Sequence, residues 1–598
     1  MNTATEADRR PALIREYDLA GLVVAALAAA SAYTPSLLPR TWFYQGLVAG
    51  IAALLGYGTG VVLHRLWDAV VRVMSRSPRL HAAADAGWAR LRTVVPGRVH
   101  REHVASWAQV AGVVMLVAVL AGSLWASIGW QRALAAEMSA PLPGPGHVLL
   151  ALATSLLTWW LLLMGARGLG PWANAMHQLL HRAGLGESTA VAVAWTAVAL
   201  VLTLAVGVVI PSVGVRLAEP YFVDQNRTYR QDLRNPAVPE RAAGPGSAID
   251  WDGLGYEGSR FIADGLYAGQ LEQLTGRPAR EPIRLYAGLG NGETMGDRAA
   301  LLVDELERTH AEDREAVMIM PVTGTGWANP VSAQAFELLH DGDTAVVSAQ
   351  YGVLPSALSV FVDRNIAADP SRELVAAVSA WWSRIPEDRR PKLYLYGESL
   401  GTQGVEAGLT SMWPMGLLPD GVLMVGPPQG NDIHSWFTAR REPGSPERRP
   451  DGPPMSGVRF AESSGDAVVR AQDPAWGDFR ILYMQHDTDP VVWWSPSLIW
   501  SRPDWLAEPP GPARSPYMEW KFFVTFWQVS ADLAGAADVP DGYGHNYADE
   551  IIDGWLAVTG DPRTGSADRG LLHAQMDAAL SVQGPEKGHI PDLESVGR

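Results

Sequence analysis

The chain has 598 residues, 47 Lys+Arg against 63 Asp+Glu, and a net charge of −16, which is more than one ordinary core can hold and implies at least two domains. It contains no cysteine, so disulfides, thiolate metal sites and a cysteine nucleophile are excluded. The charge is unevenly spread: residues 1–220 carry a net +6 and residues 221–598 a net −22, so no basic surface for nucleic acid is expected on the larger part.

Five apolar stretches open the chain, at residues 19–38, 44–64, 104–126, 146–165 and 189–211. Each is about 20 residues, enough for a helix to cross a ~30 Å hydrocarbon core. "VAGVVMLVAVLAGSLWA" and "VAVAWTAVALVLTLAVGVVI" are apolar on every face, as a lipid-facing span requires and a half-buried helix does not. The small-residue pattern Ala30-x-Ala32 also fits a signal peptide; an uncleaved anchor is the preferred reading. The N-terminal tail and the second and fourth loops hold thirteen arginines, whereas the first and third loops hold only Arg40 and Arg132. Positive loops stay inside, so the N-terminus is expected in the cytoplasm and everything after residue 211 outside it. The spans carry no mid-depth charge, which speaks for an all-α transmembrane anchor in the plasma membrane rather than an ion pathway.

Residues 216–281 include the Pro/Gly-rich "RNPAVPERAAGPGSAIDWDG" and are expected to connect the anchor, residues 1–215, to a catalytic domain over 282–598. From Pro282 on, short apolar runs at 283–289, 316–322, 344–351, 392–399, 421–428 and 480–486 alternate with amphipathic helical segments. That alternation predicts a mostly parallel sheet with helices on both faces. Residues 429–478 fall between two of the runs and are expected to form a lid.

In "KLYLYGESLGTQG" a strand runs into Gly397-Glu398-Ser399-Leu400-Gly401, with a helix beginning just beyond. A serine on such a turn is held in a strained backbone with its hydroxyl raised above the sheet, beside the free N–H groups of a helix N-terminus. A nucleophilic serine needs a base, and the base an orienting acid. "ILYMQHDTDPVVWW" offers Asp487 and Asp489 after a strand, and "PDGYGHNY" presents His545 in a glycine-rich loop. The predicted triad is Ser399, Asp489 and His545, with His545 preferred to His434, His486 and His589. Oxyanion donors are expected from Leu400 and from the turn "PVTGTGW", through Thr323, Gly324 or Thr325. No nucleotide fingerprint, cofactor or metal site is predicted.

"TPSLLPR", "GRPAREPIRLYAGL", "VTGTGWANP", "LYLYGESLG", "LYMQHDTDPVVWWSP", "PDWL" and "GHNY" together resemble the actinobacterial membrane-anchored α/β-hydrolases, α/β-hydrolase family 9, over nearly the whole chain. The resemblance implies an α/β-hydrolase fold behind a multi-span helical domain and a serine hydrolase or acyltransferase acting on lipid-like esters, with Ser399, Asp489 and His545 at the matching positions. The function expected is an extracytoplasmic esterase of lipid or acyl esters, with an acyltransferase to an envelope sugar or lipid and a non-catalytic envelope scaffold as the alternatives. The partners expected are a lipid or acyl ester and the bilayer. Six tryptophans cluster near the acid, at positions 493, 494, 500, 505, 520 and 527, and packing accounts for most of them in the plainest reading.

Overall fold

The computed structural model describes residues 17–75, 101–204, 210–228, 233–355, 366–452 and 457–581. The chain forms two compact units: residues 1–198 with 496–507 and 514–535, and residues 199–495 with 508–513 and 536–598.

Among the described residues of the first unit, three helices are long and apolar enough to cross a membrane: Trp42–Arg72, Val114–Glu137 and Pro145–Arg182. The stretch at 19–38 yields a helix of only 14 residues, Leu19–Ala32, which reaches ~21 Å, short of a ~30 Å core. Tyr33 ends it and the loop through Arg40 turns back. The fifth stretch contributes the helix Glu187–Leu204, and residues 205–209 of that stretch lie outside the described residues. Small residues set the packing of the helix Trp42–Ser75. A Cβ on Gly46 or Gly50 would come within 2.5 or 2.6 Å of Thr154 or Thr158, and one on Gly56 or Gly60 within 2.7 or 2.6 Å of Ala28 or Ala20. One helix thus carries two small-xxx-small seams, one for each neighbour.

The second unit is built on seven strands: β1 (Ile283–Ala287), β2 (Ala316–Ile319), β3 (Thr344–Ala349), β4 (Lys392–Glu398), β5 (Gly421–Val425), β6 (Val458–Ala461) and β7 (Arg480–Met484). Their order is β1-β3-β2-β4-β5-β7-β6, and every pairing is parallel. Leu395 in β4 lies between Ile319 of β2 and Val422 of β5. The strands are buried nearly throughout, so both faces need helical cover. Met295–Arg308, Ala368–Arg384 and Leu400–Met412 pack side by side as one group; Pro330–Leu339, Ser464–Ala471 and Ile551–Thr559 form another. The chain leaves β3 in one direction and re-enters at β4 on the far side of β2, a topological switch point, and parallel sheets bind ligands at the carboxyl ends of the strands there.

Two expectations are corrected. The 216–281 segment is not a stand-off connector. Ala242, Ile249, Leu254, Phe261, Ile262, Leu266, Leu271 and Leu274 belong to the main hydrophobic core, and Ala242 N–H donates to Arg284 O at 2.9 Å. Buried Arg241 staples the segment by donating to the carbonyls of Ile262, Gly265 and Leu266 at 2.8, 3.2 and 2.5 Å. Nor is 429–478 a lid as a whole, because it contributes β6, the edge strand paired with β7, and the helix Ser464–Ala471.

Candidate active site

Ser399 sits between β4 and the helix Leu400–Met412 with φ 52° and ψ −125°, a region that costs a non-glycine residue of order 1–3 kcal/mol. The flanking glycines make the turn feasible. A Cβ on Gly397 would lie 2.6 Å from Gly401 O, and one on Gly401 would lie 2.7 Å from Pro321 O. The spacing Gly-x-Ser-x-Gly is therefore a packing requirement at this turn. Ser399 N–H donates to Val425 O at 3.0 Å, and Ser399 O accepts from Thr402 N–H at 3.0 Å and from Thr402 Oγ1 at 2.6 Å. The elbow is thereby tied to the end of β5 and to its own helix.

Asp489 follows β7, is fully buried and caps the short helix Pro490–Trp493, its Oδ1 accepting from Val491 N–H at 2.8 Å. Its Oδ2 lies 2.6 Å from His545 Nδ1 and accepts from Tyr547 Oη at 2.8 Å. Asp487 turns elsewhere, its Oδ2 accepting from Ala513 N–H at 3.1 Å. The structure thus brings together the aspartate and histidine chosen from the sequence. The ring of His545 rests on Gly426, at the end of β5, where a Cβ would meet Cε1 at 2.4 Å. Val425, one residue earlier, holds Ser399, so the serine backbone and the imidazole converge on the same strand end. His545 Nε2 is buried and makes no hydrogen bond among the described residues. Burial disfavours charge on this imidazole, but the charge and hydrogen bond of Asp489 outweigh it, with Glu398 adding, and its pKa is raised above the ordinary histidine value.

Leu400 is the first residue of its helix, so its N–H has no partner within the helix. The expectation for Thr323 is corrected: its N–H donates to Trp327 O at 3.1 Å and is committed to the turn. That turn is held firmly, with Tyr286 Oη donating to Gly326 O at 2.6 Å and Gln350 Nε2 to Thr325 O at 3.0 Å. Gly324 and Thr325 lie within it, at the end of β2 next to β4.

Three residues escaped the sequence reading. Glu398, between the elbow glycine and Ser399, is buried, accepts from Tyr396 Oη at 2.7 Å and bonds Asn329 Nδ2; burial raises its pKa. Tyr547 links Asp489 to His486, whose backbone N–H donates to Tyr547 Oη at 3.0 Å. Glu550 pairs with His486 at 2.7 Å. Only the Glu within Gly-Glu-Ser-Leu-Gly and the Tyr within "GHNY" were visible as neighbours of the triad. Most of the tryptophans are structural: Trp493 is buried and donates to His486 O at 2.8 Å, and Trp520 donates to Leu498 O at 2.9 Å, whereas Trp500 is exposed.

A parallel sheet with a strained serine at the switch point, and an aspartate and a histidine following it in chain order, define an α/β-hydrolase. The profile of the alpha/beta-hydrolase family matches residues 283–571, and that of the family's N-terminus matches residues 33–265. The chain belongs to this family, α/β-hydrolase family 9. No curated protein and no solved structure matches it.

Proposed function

We propose that the protein is a membrane-anchored serine hydrolase of lipid or acyl esters. Ser399 Oγ attacks the ester carbonyl while His545 Nε2 takes its proton, and Asp489 stabilises the imidazolium that forms. Collapse of the tetrahedral intermediate breaks the ester C–O bond, and the imidazolium returns its proton to the departing alcohol. Water, deprotonated by His545, then releases the acid from the acyl-serine. The developing oxyanion is met by Leu400 N–H and by a backbone N–H of the turn after β2, at Val322, Gly324 or Thr325.

The observation that carries this reading is the 2.6 Å contact between Asp489 and His545, with the opposite ring nitrogen buried and without a hydrogen bond among the described residues at the strand end that also holds the Ser399 backbone. Three helices long and apolar enough to cross a membrane among the described residues support a catalytic unit tethered at the bilayer and working on substrates there. A fluorophosphonate probe is expected to label the full-length chain in detergent, and Ser399→Ala to abolish both labelling and ester turnover. Labelling that persists in Ser399→Ala overturns the assignment. Transfer of the acyl group to an added sugar or lipid hydroxyl, in place of release as free acid, would make the same acyl-serine that of a transferase.

A further inference from the structure

His486 takes no part in the proton transfers described above. It lies in the loop between β7 and Asp489, almost wholly buried. Its Nδ1 is 2.8 Å from Gly544 O and its Nε2 is 2.7 Å from Glu550 Oε2. Its ring stacks on Tyr547 with 3.8 Å between centroids and 11° between planes.

The hydrogens follow from the partners. A carbonyl oxygen only accepts, so Nδ1 carries a proton. At Nε2 a second proton must lie between the nitrogen and the carboxyl oxygen, because without it a lone pair would face a carboxylate at 2.7 Å. The intact pair holds two protons, one more than a neutral imidazole and an ionised glutamate bring together. The contacts also bracket the base. Gly544 immediately precedes His545, and Tyr547 donates to Asp489 at 2.8 Å while accepting the backbone N–H of His486 at 3.0 Å.

We propose that the proton shared by His486 and Glu550 is a positioning device for His545: it holds residues 544–547 against Asp489, and its loss at alkaline pH frees the base, setting an upper pH limit on the reaction. The proposal rests on the serine-hydrolase reading of Ser399, Asp489 and His545. The lower pH limit belongs to His545 itself, which must be neutral to accept the proton of Ser399.

The surroundings favour the extra proton. Burial works against charge on His486, but the hydrogen bond and charge of Glu550, the Gly544 carbonyl and the charge of Asp489 prevail, and its pKa is raised. The phenol of Tyr547 faces it on one side of the ring. Glu550 in turn accepts Ser464 N–H at 3.3 Å, and Asp541, whose own pKa is raised by burial and by neighbouring Asp549 and Glu550, adds negative charge nearby. A group whose pKa is higher folded than unfolded stabilises fully below the unfolded value, and that contribution disappears as pH rises through the folded value. The latch is therefore closed below the folded-state titration of the pair and opens as pH rises through it.

Glu550→Gln separates the proton from the geometry. An amide N–H of Gln donates to the lone pair at Nε2 of a neutral imidazole, and Nδ1–H still donates to Gly544, so no extra proton is needed. Fluorophosphonate labelling rates and kcat/KM for a p-nitrophenyl ester are to be measured on the full-length wild type and Glu550→Gln in detergent, from about pH 5 to about pH 10. The wild type is expected to decline at the alkaline end and Glu550→Gln to retain at least about tenfold more of its neutral-pH rate there, the equivalent of one pH unit of a single titration. Melting temperatures over the same range are expected to fall with rising pH in the wild type and to stay level in Glu550→Gln. Superimposable alkaline limbs, or parallel melting curves, overturn the proposal. If neither protein is labelled at any pH, the serine-hydrolase reading fails and takes the positioning role with it, while the melting curves still decide whether the shared proton exists.

Discussion

Replacing Asp489 by Asn tests the site most directly, because the two side chains have the same shape and differ in what they donate. Asp489 accepts at both oxygens: Val491 N–H at Oδ1, 2.8 Å, and at Oδ2 both His545 Nδ1, 2.6 Å, and Tyr547 Oη, 2.8 Å. An amide that keeps its oxygen on Val491 N–H places its NH₂ where two donors already point. The conflict is relieved when His545 moves its proton from Nδ1 to Nε2, and in that tautomer the ring cannot accept from Ser399. Loss of the wrong-tautomer kind is worth ~10⁴ in rate, or about 5.5 kcal/mol of transition-state stabilisation. The assay is kcat/KM on a chromogenic ester as a function of pH, with the melting temperature as a control for folding. The acid limb should also move: with the Asp489 charge gone, burial dominates and His545 titrates lower than the raised value it has in the wild type. An Asp489→Asn enzyme that loses less than about tenfold, with an unmoved acid limb, would refute the reasoning.

Gly426→Ala puts a methyl 2.4 Å from Cε1 of His545, whereas carbon atoms pack at about 3.5–4.0 Å. The ring must shift by about 1 Å, and kcat/KM is expected to drop ~10²-fold with KM little changed. Arg40→Ala removes the guanidinium 3.8 Å from Asp532, both side chains being almost fully buried; breaking such a pair costs about 3–5 kcal/mol, read as a lower melting temperature, and adding Asp532→Asn to Arg40→Ala should recover part of it.

Much of the catalytic unit was legible because its signals are local. Six of the seven strands stand out as apolar runs, and the serine elbow reads directly from a strand followed by Gly-Glu-Ser-Leu-Gly. Asp489 and His545 could be paired because chain order and loop position constrain them. β6 was missed because Arg459 interrupts its four residues, Val458–Ala461, so that no apolar run forms, whereas the equally short β2 continues into Met320, Pro321 and Val322. The core segment around Arg241 was misread because it is held by a guanidinium reaching carbonyls 21 to 25 residues away, a pattern without periodicity. His486 and Glu550 are 64 residues apart, and nothing in either neighbourhood announces the other. The length of an apolar run likewise overstated the first helix, since "TPSLLPR" extends the hydropathy but Pro35 and Pro39 do not extend the helix.

The domain boundary is where reading the chain as a line misleads most. The 56-residue interval between Asp489 and His545 is an insertion in sequence terms, and its larger part, residues 496–507 and 514–535, belongs to the helical unit. The reason lies in its side chains. Val524 is buried in one cluster with Ala32, Tyr33, Val48 and Ala52. Gln528 Nε2 donates to the carbonyls of Ala32 and Thr34 at 3.2 and 3.1 Å, and Asp532 accepts Leu37 N–H at 3.0 Å and bonds Ser36. Apart from Val48 and Ala52 in the next helix, these partners lie in "ASAYTPSLL", the end of the first helix and the turn after it. Cutting the chain near residue 216 would expose Val524, Gln528 and Asp532 together, leaving an apolar patch and a carboxylate stripped of the groups that now bury them. The helical unit is thus a structural partner to the interval that carries the chain from acid to base, and its last residue, Gly535, is followed directly by Ala536, whose carbonyl accepts the backbone N–H of His545 at 2.7 Å.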